Sequence, residues 1–165
     1  MIRLVDPDED RSTLEPLLTD FHAWMVDHAG DVYEPGAELA EDLQSLADDP
    51  ESWAWVAAAD DTPAGCVLLY GTTDDLAEFK RLWVRPAFRG TGLGRALVET
   101  VVDSARAEGY EVLGLTTPPW AERSHALYES LGFERTPPYP DTRLPEKYHD
   151  EAVFMQRTLD DEHET

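Results

Sequence analysis

Glu78-Phe79-Lys80-Arg81-Leu82-Trp83-Val84-Arg85-Pro86, then Ala87-Phe88, then Arg89-Gly90-Thr91-Gly92-Leu93-Gly94-Arg95 is the stretch that decides the fold. Phe79 to Val84 is rich in aromatic and branched residues, which predicts a strand. Pro86 stops it, because proline has no N–H to give to a ladder. Three glycines then stand at every second position, which lets the backbone turn tightly and approach a ligand closely. Beyond them Leu93, Leu97, Val101 and Ala105 recur four apart, with Ala96, Val98 and Val102 beside them, up to Gly109. That is helical spacing.

Strand, glycine loop and helix in that order make an anion site. The first turn of a helix carries N–H groups without intrahelical partners and about half a positive charge, and glycines let such groups close around phosphate oxygens. Charge points the same way. Residues 78 to 95 hold Lys80, Arg81, Arg85, Arg89 and Arg95 against Glu78, a local balance of +4 in a chain of −22. The bland alternative is a turn with a solvated basic face. It fits poorly with an acidic chain that gathers five of its 13 basic residues here.

Arg89-Gly90-Thr91-Gly92-Leu93-Gly94 after a strand resembles the acetyl-CoA pyrophosphate loop (R/Q-x-x-G-x-G/A) of the GNAT superfamily of N-acetyltransferases. Ala126-Leu127-Tyr128-Glu129-Ser130-Leu131-Gly132-Phe133 resembles that family's second signature, a helix carrying a tyrosine before a Gly-Phe strand entry. The resemblance runs from about Val56 to Leu159, and the N-terminal third fits by pattern alone.

The remaining composition sets limits. At 165 residues the chain can bury a core as one domain, residues 1–159, followed by an acidic tail, residues 160–165. Its one cysteine, Cys66, lies in the apolar run Gly65 to Tyr70, so there is no disulfide framework. The apolar stretches fall far short of the ~20 residues that cross a bilayer. The start, Met1-Ile2-Arg3-Leu4-Val5-Asp6, lacks the pattern of a signal peptide, so a soluble cytoplasmic protein is expected. Residues 1 to 77 carry 19 acids against Arg3 and Arg11, a balance of −17. Such a surface repels nucleic acid and anionic membrane. It either attracts a cationic substrate or marks a halophilic surface, and two lysines against 35 acids favour the latter.

In chain order the pattern predicts a strand at Met1–Val5 and a helix capped by Asp8 or Ser12. Leu14, Leu17, Leu18, Phe21 and Met25 form that helix's apolar face. His22 and His28, six apart, make a poor metal pair, and no metal is expected. A second helix is predicted from Gly36 to Ala47. Strands follow at Trp53–Ala59 and Ala64–Tyr70, joined by the turn Asp60 to Pro63, then the Glu78 strand and the long helix. Glu111–Thr116 is a strand, Ala121–Ser130 a helix, and Phe133–Thr136 and Ala152–Thr158 the last strands, separated by the loop Pro137–Asp150. This is an α/β fold. With the resemblance it becomes a mixed, mostly antiparallel sheet of six or seven strands flanked by about four helices.

The resemblance implies acetyl-CoA as co-substrate, with Leu82, Trp83, Val84, Arg89, Gly90, Thr91, Gly92, Leu93, Gly94, Arg95 and Ser124 in contact with it. An oxyanion would rest on a backbone N–H near Trp83 or Val84, and pantetheine amides would pair along the same strand. Where family members often carry an asparagine seven residues before the tyrosine, this chain has Ala121, and Ser124 lies one helical turn on. Glu78 stands where some members carry a general base, which an alkyl ammonium needs. It could equally be an ion pair with Lys80 or Arg81. Tyr128 would protonate the leaving thiolate, orient its sulfur, or simply fill the core. The acceptor would lie against Trp24, Tyr33 and Glu34 on one side. Tyr139, Arg143, Lys147, Tyr148 and His149 would line the other. Arg143, Lys147 and His149 point to an acceptor bearing an anion, the acidic N-terminal half to a cationic one. The expected activity is acetyl transfer to a small-molecule amine within a ternary complex. Protein or peptide N-acetylation and a non-catalytic acyl-CoA-binding module are the alternatives, and a homodimer is left open.

Overall fold

The structure is a computed structural model that describes residues 1–29, 35–142 and 144–159. Its elements run β1 (Ile2–Leu4), α1 (Arg11–Ala29), α2 (Pro35–Asp48), β2 (Ser52–Ala59), β3 (Thr62–Gly71), β4 (Leu76–Val84), α3 (Leu93–Ala107), β5 (Val112–Thr117), α4 (Glu122–Ser130), β6 (Glu134–Thr136) and β7 (Val153–Thr158). The strands pair in the order β1-β2-β3-β4-β5-β7-β6. β1–β2, β5–β7 and β6–β7 are antiparallel, whereas β4 and β5 are parallel. A parallel pair cannot be closed by a hairpin and needs a long crossover. The apolar-faced run after the glycines supplies it as α3. The expected mixed, mostly antiparallel sheet with four helices is what the described residues form.

Local chemistry moved several boundaries. Neither Asp8 nor Ser12 opens α1. Asp6 Oδ1 accepts the N–H groups of Asp8 and Glu9, Asp10 Oδ2 accepts that of Asp6, and the helix starts at Arg11. The β2–β3 turn is tighter than the predicted four residues. Asp60 and Asp61 have φ of 52° and 68°, the two left-handed residues of a two-residue hairpin, so β3 already begins at Thr62. β4 begins at Leu76 rather than beside Glu78, which draws Glu78 into the body of the strand.

The chain divides into two compact units, Met1–Leu68 with Arg81–Glu99, and Leu69–Lys80 with Thr100–Thr165. In the first, Leu14, Leu17 and Leu18 of α1 and Leu43 and Leu46 of α2 pack on Val56, Cys66, Leu68 and Trp83. Each fully buried leucine contributes about 1.5–3 kcal/mol. In the second, Leu113 and Leu115 of β5, Phe154 and Met155 of β7, Phe79, Tyr128 and Phe133 are buried. The β5–β7 ladder runs the whole of both strands, from Val112↔Thr158 to Thr117↔Val153. The β4–β5 ladder is short and stops at Glu78↔Gly114.

Candidate active site

Glu78 is the last β4 residue in the parallel ladder and is 1% exposed. A buried carboxylate needs donors, because losing water without compensation costs several kcal/mol. Two phenols supply them. Tyr70 Oη donates to Oε1 at 2.8 Å and Tyr139 Oη donates to Oε2 at 2.5 Å. Tyr70 ends the apolar run of β3, and Lys80 Nζ lies 5.1 Å over its ring. Tyr139 comes from the loop before β7, braced edge-on against Phe154 at 5.2 Å. Its hydroxyl passes directly over β5. A Cβ built on Gly114 would stand 2.4 Å from Tyr139 Oη, so only glycine lets the phenol reach Glu78. Burial, then the Glu78 charge and the hydrogen bond to it, hold the Tyr139 phenol well above its ordinary ionisation range. A hydrogen bond from Thr142 pulls the other way.

Tyr128 is placed by the end of its helix. Gly132 has φ of 92°, the N–H of Gly132 donates to Glu129 O, and that of Phe133 donates to Tyr128 O. These are the paired bonds of a Schellman cap, whose usual companion is an apolar contact between the residues at its two ends. Here that contact is Tyr128 against Phe133, at 6.2 Å between centroids, with Phe79 edge-on to both. The tyrosine-before-Gly-Phe pattern is thus a capping signal as well as a family one. Burial pushes the Tyr128 phenol up to about 12, and a hydrogen bond with Ser124 works against that rise.

In the other unit, β4 leads into the glycine loop through a 3-10 turn at Pro86–Phe88. Gly90 and Gly92 sit at φ 80° and 88°, and nothing lies within 4 Å of where their Cβ atoms would be. Thr91 Oγ1 donates to Phe88 O at 2.6 Å, and Ala96 N donates to Gly92 O, so α3 opens with Leu93, Gly94 and Arg95 in its first turn. An open left-handed loop at a helix N-terminus fits a diphosphate, which needs backbone N–H groups and room to approach them. Arg89 is exposed, donates Nε–H to Val84 O and lies 4.9 Å over the Trp83 ring. Trp83 also meets Phe21 and Trp24, at 6.2 and 5.7 Å. Its buried indole N–H has no hydrogen-bond partner among the described residues. Leu82 and Val84 are half-buried beside it.

Arg81 does not turn toward Glu78. Its guanidinium meets Glu38 at 2.9 Å and Asp42 at 2.8 Å, and Asp42 Oδ2 lies 3.1 Å from His22 Nε2. Its backbone stands at φ 60° inside β4, the left-handed geometry of a bulge. Neither this cluster nor Tyr70, Gly114 and Thr142 was singled out from sequence. Glu38 and Asp42, four apart on α2, were the readable hint of one acidic helix face. Of the residues expected to face the acceptor, Trp24 is half-buried in the aromatic cluster, and His149 Nε2 pairs with Leu144 O with its ring edge-on to Phe154. Tyr33, Glu34 and Arg143 lie outside the described residues, as does the Lys147 side chain. Among the described residues no group of three or more His, Cys, Asp or Glu side chains could hold a metal ion, and no helix is long and apolar enough to cross a membrane.

A family model described as the acetyltransferase (GNAT) family matches residues 17–133. A protein named IAA acetyltransferase from Azospirillum brasilense is 35% identical over 136 residues, covering 80% of this chain and 84% of that protein. A solved acetyltransferase from Streptococcus agalactiae superposes with a TM-score of 0.77 at 22% identity, over 96% of this chain and 98% of that one. The structure of yncA, a putative acetyltransferase from Salmonella typhimurium solved with its cofactor acetyl-CoA, gives 0.69 at 23% identity, over 98% and 94% of the two chains.

Proposed function

The chain belongs to the acetyltransferase (GNAT) family and is an acetyl-CoA-dependent acyltransferase; on that premise we propose that it acetylates the primary amine of a small molecule, by direct transfer within a ternary complex. The observation that carries this reading is the buried Glu78 carboxylate held between two phenols, Tyr70 and Tyr139. An ammonium cannot attack a thioester until a base takes its proton, and a carboxylate can serve as that base.

Acetyl-CoA supplies an activated acetyl thioester. Gly90, Thr91, Gly92, Leu93, Gly94, Arg89 and Arg95 would hold its diphosphate, through backbone N–H groups and guanidinium charge. Backbone N–H groups late in β4, at Leu82 to Val84, would pair with its amides and steady the oxyanion. Tyr128, with Ser124 beside it, acts on the leaving sulfur as a hydrogen-bond donor rather than as a full acid. At about 12 its proton is ~3.5 units uphill from a thiol near 8.5, or ~5 kcal/mol. Trp24, Tyr33 and Arg143 are the proposed acceptor contacts. The single cysteine, Cys66, is buried, which suits a reducing cytoplasm.

The test is release of free thiol from acetyl-CoA with a panel of small amines, free amino acids and lysine- or N-terminus-bearing peptides, in molar salt. Turnover with a small amine, and the acetamide seen by mass spectrometry, is expected. Turnover with peptides alone would replace the proposed acceptor class, and acetyl-CoA binding without turnover on any amine would overturn the catalytic reading.

A further inference from the structure

Glu78 is too deeply buried to meet an acceptor itself, and Tyr139 provides the way out. Glu78 is 1% exposed, whereas Tyr139 and Thr142 are half-buried. Tyr139 Oη donates to Glu78 Oε2, so a half-buried phenol reaches in to a buried carboxylate. A phenolic oxygen that gives its proton inward keeps lone pairs to accept another, which is the arrangement a relay requires. Gly114 leaves the only room for it, since any Cβ there would overlap that oxygen. We propose that Tyr139 is a proton relay, carrying a proton from the acceptor's ammonium group to Glu78, and that Gly114 is the residue that admits it. This rests on reading Glu78 as the base.

The step balances without any further reactant. An ammonium N–H bond breaks and its proton forms the new O–H of Tyr139. The original Tyr139 O–H breaks and its proton forms an O–H on Glu78 Oε2. Tyr139 is a phenol before and after, so no phenolate accumulates. The freed nitrogen lone pair attacks the acetyl carbonyl and the C–S bond breaks. Of the ammonium's two remaining protons, one leaves with the sulfur and one stays in the amide. Glu78 returns its proton to water by the same path.

Tyr139→Phe keeps the ring and its packing on Phe154 but removes the relay oxygen. Gly114→Ala keeps the oxygen but displaces it. Each is measured for kcat/KM against pH with a series of acceptor amines of different basicity, beside wild type and Glu78→Gln. With the relay lost, only free amine reacts. Both variants should then fall about a hundredfold near pH 7, recover as pH approaches the amine's own pKa, and lose about tenfold more for each unit of added amine basicity. A drop equal at every pH, or a profile like wild type, overturns the relay. If Glu78→Gln is impaired while both variants match wild type, the base reading stands and the relay fails. If Glu78→Gln is also unaffected, the base reading fails with it. Ultraviolet titration of the tyrosines gives a readout independent of turnover. In Glu78→Gln one phenol should ionise at lower pH than in wild type, and no such change would remove the Tyr139–Glu78 contact on which the proposal stands.

Discussion

Removing Asp42 should cost the first unit about 3 kcal/mol, and the figure follows from what the carboxylate holds. Its side chain is fully buried, takes Arg81 Nε–H at 2.8 Å and Nη2–H at 3.2 Å, and lies 3.1 Å from His22 Nε2. At an effective dielectric near 20, charges about 4 Å apart attract by ~4 kcal/mol. Breaking a buried pair typically costs ~3–5 kcal/mol, because the surviving charge stays buried. Glu38 still meets Arg81 in Asp42→Ala, and the Arg81 side chain, 13% exposed, can recover some water. Both put the loss at the lower end. For a chain of this size it amounts to a fall of about 6–12 °C in Tm. Arg81 also sits at φ 60°, which costs a residue with a Cβ ~1–2 kcal/mol that its ion pairs offset. Urea unfolding in fixed molar salt, on Asp42→Ala, Arg81→Met and the double variant, separates these contributions. The double variant should be less destabilised than the sum of the singles by ~1.5–3 kcal/mol. A loss below about 0.5 kcal/mol in Asp42→Ala, or strict additivity in the double, would refute the claim that this cluster holds β4 in its bulged form.

Three further outcomes are expected. Gly92→Ala meets open space but a φ of 88°, so it should lose ~1–2 kcal/mol from backbone strain and bind acetyl-CoA more weakly; calorimetric affinity equal to wild type would detach the loop from the diphosphate. Because the Tyr128 phenol is raised from 10 to about 12 in the folded chain, the native state keeps a proton that the unfolded chain gives up. The stability tied to that proton is intact below pH 10 and falls by ~2–3 kcal/mol as pH rises to about 12. Cys66 and Tyr139 are also raised and add to this alkaline loss, so urea midpoints at pH 8 and 11 should converge partly in Tyr128→Phe, and an unchanged slope would contradict the assignment. Finally, a net charge of −22 should make folding weaker at low salt, since the screening length grows from ~3 Å at 1 M to ~10 Å at 0.1 M; a midpoint unmoved across that range would remove the halophilic reading.

Much of the architecture could be read ahead because each level of the sequence agreed with the next. Leu93, Leu97, Val101 and Ala105 had the spacing of α3, and the glycines before them sat where the strand turned into it. The Tyr128-to-Phe133 run was legible as a family pattern, and the structure shows it to be a helix cap as well. What escaped was long-range. Glu78 read equally as a general base or as an ion pair with Lys80 or Arg81, because nothing local says that β4 starts two residues earlier and that Tyr70 and Tyr139, eight and 61 residues away, close on it. Gly114 sat unnoticed in an apolar strand, since a glycine's need for space depends on a side chain that arrives from elsewhere. Asp42 and His22 read as ordinary polar positions on two helices until Arg81 joined them.

The central claim is that Glu78 takes the acceptor's proton, and the pH dependence of acetyl transfer in Glu78→Gln tests it most directly. With acetyl-CoA saturating and a competent amine, kcat/KM should fall by about a hundredfold or more near neutral pH and recover only as pH approaches the amine's own pKa. A pH profile matching wild type in shape and height, in a folded Glu78→Gln protein, would contradict the account.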